Sequence, residues 1–218
     1  MHVSRVKRIR ITSGKVRHLT FIATLLIGWS ILGVFLLWTG AADADQNDNL
    51  KGSYAFTGEA TCLVSLSGFN SKLTPIDGRF VQSFNVQGVW TFFGNGTGAR
   101  TGRSVGITHP TNFTTTIDGG AGSDNFQASF TYNVASDGTF TTTLSGPLTG
   151  TVLTGTRAGQ TFTIDQLALN GLISQDRKSL TIANDQPTIE VVTYSNGDIH
   201  HRICHRSRAL FRLKGGDD

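Results

Sequence analysis

No long segment of this chain carries the 3.6-residue apolar period of an amphipathic helix, and no stretch reads as a linker between domains. Helix formers are sparse: the 218 residues include one methionine and only two glutamates, Glu59 and Glu190. A helical bundle is excluded on those grounds. Acidic residues are missing from Met1 to Thr20, which holds six basic ones, Arg5, Lys7, Arg8, Arg10, Lys15 and Arg17. Positive excess is missing from the rest. The 19 Lys and Arg, less those six, leave 13 from Asp45 onward, against 14 Asp and Glu (15 less Asp43). The overall charge of +4 therefore belongs to the N-terminus, and a globally basic nucleic-acid binder is excluded.

Other absences remove tempting motifs. "GRSVG", Gly102 to Gly106, has the spacing of a nucleophile elbow around Ser104, but no helix follows it. "GNGTG", Gly94 to Gly98, lacks the helix that a phosphate-binding glycine loop needs. "GGAGSDNF", Gly119 to Phe126, matches one copy of a calcium-binding nonapeptide that works only in tandem. Asp118 and Asp124 remain possible oxygen donors in the polar stretch Thr108 to Asp124, and no metal or cofactor is expected.

What is present begins with a basic start, the apolar run Phe21 to Trp38, and the small-x-small triplet Ala42-Asp43-Ala44. That order reads as a secretory signal covering 1–44, cleaved after Ala44; the alternative is an uncleaved single-pass anchor. An exported protein of bacterial type follows, periplasmic or secreted, touching a membrane only through this segment and only if it is uncleaved. Residues 45–218 form one domain. Cys62 and Cys204, both in the exported part, are expected to pair.

The domain is rich in Gly and Thr and alternates apolar with polar residues between turn signals, the pattern of an all-β antiparallel meander. Tyr54, Phe56, Ala60, Cys62 and Val64 share one face of a first strand, and Phe80, Phe84, Val86, Trp90 and Phe92 one face of a second. A two-residue turn at Asn95-Gly96 places Ala99, Arg103, Val105 and Ile107 inside on the third. Phe126, Phe130, Tyr132 and Val134 mark the fourth. A three-residue loop ending at Gly138 leads to the fifth, which bends near Gly146-Pro147. The sixth runs from Thr161 to Ile173, the seventh from Ser179 to Tyr194, and "DIHHRICHRSRALFRL" is the eighth. Eight hairpin-linked strands leave two open edges unless first and last pair, so a roughly eight-stranded closed barrel is expected, with a two-sheet sandwich as the alternative. Gly52-Ser53-Tyr54 at the start of the first strand, with Arg212 on the last, resembles the opening Gly-x-Trp and the cross-packed Arg of the lipocalin and calycin barrels, with Tyr in place of Trp. The resemblance implies a ligand-holding barrel and names no ligand.

On the last strand, His201 and His205 stand about 13 Å apart, too far to share a metal. A three-residue loop Ser195-Asn196-Gly197 places Glu190 opposite Arg202 and turns Ile199, His201, Ile203 and His205 inward. Cys204 then falls on the outer, basic face while Cys62 faces in, so either a bulge near Gly58 shifts one strand or there is no bond. The expected function is a small-ligand-binding module for an acidic or apolar molecule, lined by Trp90, Arg103, Tyr132, His201 and His205. The alternatives are an enzyme with His201 or His205 as general base and a structural envelope protein with a filled core.

Overall fold

The computed structural model describes residues 46–110, 120–165 and 167–214. The expected signal or anchor segment lies outside the described residues, as does Asp118. A short 3-10 turn, Gln46–Asn49, precedes eleven strands: β1 (Lys51–Ser65), β2 (Arg79–Phe93), β3 (Thr97–Pro110), β4 (Gly120–Val134), β5 (Thr139–Leu144), β6 (Leu148–Thr154), β7 (Thr161–Asp165), β8 (Ala168–Ile173), β9 (Ser179–Ala183), β10 (Ile189–Tyr194) and β11 (Ile199–Arg212). All pairings are antiparallel, and β1 pairs with β11 along its length, so the sheet closes into a ring of 8 strands.

The eleven strands reduce to eight because three positions in the ring are shared by broken strands. β5 and β6 both pair with β4, one beside each half, and are separated by Ser145-Gly146-Pro147. Pro147 cannot donate a ladder hydrogen bond, which is where the break falls. β8 and β7 continue the ring beside them, and β9 and β10 pair with the two halves of β11. The interruption between β9 and β10 contains Pro187.

Bulky inward side chains require small neighbours, and glycine supplies them. Phe56 lies opposite Gly88, Phe84 opposite Gly106, Phe126 opposite Gly102, Phe130 opposite Gly98, and Phe140 opposite Gly171. A Cβ on Gly98 would stand 2.4 Å from the Phe130 ring, and one on Gly102 would stand 2.5 Å from Phe126. Each ring thus lies flat over its partner strand, and the glycine content follows from packing inside a narrow ring.

The interior is divided along its axis. At one end Trp90 and Phe130 centre 4.8 Å apart, with Phe92, Tyr132, Tyr54 and Phe140 around them. Burying side chains of this size stabilises by about 1.5–3 kcal/mol each. This end is closed by the segment before β1. Tyr132 Oη donates to the Leu50 carbonyl at 2.7 Å, and the Val134 amide donates to Asn47 Oδ1 at 3.0 Å.

Two expectations about facing are overturned. The β2–β3 loop has three residues, Gly94-Asn95-Gly96, with φ of +82° and +79° at the two glycines. The added residue shifts the register by one, so Arg100, Gly102, Ser104 and Gly106 face in while Arg103, Val105 and Ile107 face solvent. The second concerns β11. Its register is the expected one, Glu190 opposite Arg202, but its faces are reversed: His200, Arg202, Cys204, Arg206, Arg208 and Leu210 point inward and Ile199 is 48% exposed. The disulfide accounts for this. Cys62 and Cys204 stand directly opposite in unbroken β1–β11 register and are bonded, so no bulge at Gly58 is required.

Candidate functional site

The reversed face of β11 fills the second half of the ring with charge. Glu190 on β10 is 1% exposed, and accepts from Arg202 Nε at 3.0 Å and from both terminal nitrogens of Arg206, Nη2 at 2.7 Å. A guanidinium fork meeting a carboxylate in two places is the strongest form of this contact. Burial alone would raise the Glu190 carboxyl, but Arg202 and Arg206 outweigh it, and the net shift is downward. The disulfide flanks this network, with Cys204 Sγ 3.8 Å from Glu190 Oε2.

Two further arginines have no such partner. Arg100 (3% exposed) sits with its guanidinium 4.9 Å from the centre of the Trp90 ring, and Arg208 (9% exposed) sits 5.5 Å from that of Phe56. Arg100 Nε and Nη2 and Arg208 Nε and Nη1 carry no hydrogen bond among the described residues, and neither does Trp90 Nε1. All five atoms are donors. What this part of the interior lacks is an acceptor. Burial pulls the Arg100 guanidinium down to about 9, with Arg206 adding to the shift, and burial together with Arg100 pulls Arg208 well below its ordinary range. Guanidinium does not deprotonate inside proteins, so these two buried charges call for a counter-anion.

Beside Arg202, Arg206 and Arg208 lies a cavity of about 200 Å³. Phe84, Phe126, Phe162, Val152 and Ile164 wall it, and it reaches the surface past the exposed residues Gly120 and Thr154, where β4 begins and β6 ends. Asp124 stands in the wall and accepts from Ser104 Oγ at 2.7 Å; burial raises its pKa against the opposing effects of Ser104 and Arg202. Near this end Arg157 lies 4.5 Å over the Tyr194 ring and is paired with Asp198. His200 packs between Phe80 and Tyr194, and burial, with Arg157, lowers its pKa to about 4.

The expected site residues divide accordingly. Trp90 and Tyr132 are inside, but in the packed apolar half. Tyr132 spends its hydroxyl on the Gly94 amide and the Leu50 carbonyl, and Trp90 serves as the platform under Arg100. Arg103 is on the outer surface because of the three-residue turn. His201 and His205 are on the outer face of β11, the former beside Gly68 in the connection between β1 and β2, so neither can act as a base in the interior. Ser104 faces inward, but its partner is a carboxylate and not an imidazole. Among the described residues no group of three or more His, Cys, Asp or Glu could hold a metal ion.

Sequence reasoning places none of Arg100, Arg202, Arg206, Arg208, Glu190 and Asp124 inside. One signal in the sequence identifies three of them. If Cys62 and Cys204 are bonded they share a face, and Arg202, Arg206 and Arg208 share that face with Cys204. Comparison with family models, with curated proteins and with solved structures finds no match.

Proposed function

We propose that this protein is an exported β-barrel that binds a small acidic molecule in its interior, anchored by Arg208 and Arg100. One observation carries the reading: nine-tenths-buried arginines with donors unbonded among the described residues sit in the wall (Arg208) and behind it (Arg100) of an open cavity whose lining mixes aromatic and aliphatic side chains with polar ones. A buried guanidinium without an anion is costly, and an acid with an apolar body answers both the donors and the walls. The closed ring with Arg212 packed against Gly52, its Nε 3.5 Å from where a Cβ would stand, supports the likeness to the calycin barrels. The disulfide supports an oxidising, extracytoplasmic location.

The test is thermal denaturation of the chain against a panel of small acids and their neutral amides. An acid at about 100 times its Kd should add about 2.7 kcal/mol to stability, and the amides should add nothing. Arg208→Leu should abolish the acid effect and leave the ligand-free protein as stable as wild type or more so, since an uncompensated buried charge is removed. Binding that survives in Arg208→Leu, or equal binding of acids and amides, would refute the reading.

A further inference from the structure

The charge inside the ring also specifies the kind of acid, on the premise that the interior is a ligand site. Four guanidiniums, Arg100, Arg202, Arg206 and Arg208, face the interior. The described carboxylates that face them are Glu190 and Asp124, at most two negative charges. The other charged groups near the cavity cancel, because Arg157 is paired with Asp198. Among the described residues the residual charge is therefore at least +2. A monoanion leaves half of it uncompensated among buried guanidiniums, where screening is weaker than at the surface.

Donor count points the same way. Glu190 already occupies Arg202 and Arg206, while Arg100 and Arg208 retain four unbonded donor nitrogens. Those four donors would take up all of the roughly four lone-pair sites of one carboxylate, whereas the three terminal oxygens of a phosphate monoester leave acceptors to spare. Room for the Arg208 stem is built in: a Cβ on Gly58 would stand 2.6 Å from Arg208 Cγ and 2.3 Å from the Ser207 carbonyl oxygen, so no other residue at 58 permits this placement.

Size limits the body. A cavity of about 150 Å³ accepts a benzene ring. The cavity here, about 200 Å³, accepts a ring and an acid group. A long acyl chain would leave part of its methylenes in water at the open end, and that part would contribute nothing.

We infer that the occupant is a compact dianion on a ring-sized apolar body, a phosphate monoester in preference to a carboxylic acid, held by Arg208 in the cavity wall, with the charge of Arg100 behind it, beside the rings of Phe84, Phe126 and Phe162. Phosphate monoesters carry close to two charges above their second pKa of about 6.

The experiment is isothermal titration of the full chain at pH 8 with four probes: phenyl phosphate, methyl phenyl phosphate, benzoate and dodecanoate. Phenyl phosphate and its methyl ester share a ring and differ by one charge. Phenyl phosphate should bind at least tenfold more tightly than either monoanion, and dodecanoate should bind no better than benzoate. Arg208→Gln, shown to melt as wild type does, should reduce the phosphate-to-ester ratio to near unity. If benzoate or the methyl ester matches phenyl phosphate, or dodecanoate exceeds it, the dianion inference fails while the acid-binding reading stands. If none of the four binds, both fail.

Discussion

Glu190 holds the polar half of the interior together, because it is the carboxylate shared by Arg202 and Arg206. Removing one partner of a buried ion pair leaves the other uncompensated, which costs about 3–5 kcal/mol. Glu190→Gln keeps the shape and loses the charge, so urea unfolding should show a loss near the lower end of that range. The same network sets acid behaviour. Glu190 has a folded-state pKa below its ordinary 4.5, so its stabilisation is present above that value and is lost as pH falls through the folded pKa. His200 acts earlier. Its pKa falls from 6.5 to about 4, so the unfolded chain takes up a proton first, and stability declines as pH is lowered from 6.5 toward 4. His200→Phe keeps the ring contacts to Phe80 and Tyr194. Its melting temperature should vary less than that of wild type between pH 6.5 and 5; an unchanged slope would contradict this assignment of the neutral imidazole.

At the scale of elements, β1 and β11 close the ring, and Cys62–Cys204 fixes their facing. The bond spans a sequence separation of 142 residues. Cross-linking over such a span stabilises by up to about 5 kcal/mol, so the Cys62→Ala, Cys204→Ala variant should unfold at lower denaturant with a larger m-value, its unfolded state being less constrained. An unchanged midpoint would show that the ladder alone closes the sheet. Hairpin registers are legible in the sequence where glycine marks the turn: Ser136-Asp137-Gly138 and Ser195-Asn196-Gly197 form the expected three-residue loops, with φ of +84° and +93° at their glycines. At Gly94-Asn95-Gly96 two glycines permit either loop length, and the longer one sends Arg100 inward in place of Arg103. The facing of β11 is illegible in its hydrophobic alternation, for a different reason, and only the pairing of Cys62 with Cys204 reveals it. Both its faces carry apolar residues, Ile199, Ile203 and Phe211 on one and Cys204 and Leu210 on the other. Hydrophobic alternation identifies the inner face only when charge stays outside, and here it does not.

Across the whole molecule, the eight-position ring puts a packed aromatic half at one end and an arginine-lined cavity at the other. The first half supplies stability through burial, and the second retains donors that are unbonded among the described residues. The central claim is that an acid enters the second half and engages Arg100 and Arg208. The most direct measurement is the nitrogen-15 NMR spectrum of the arginine Nε–H groups, assigned by Arg100→Lys and Arg208→Lys, during titration with phenyl phosphate. The account predicts saturable shifts of the Arg208 and Arg100 signals, with Arg103 unmoved on the outer surface. Shifts confined to Arg103, or no saturable shift at Arg208, would contradict it.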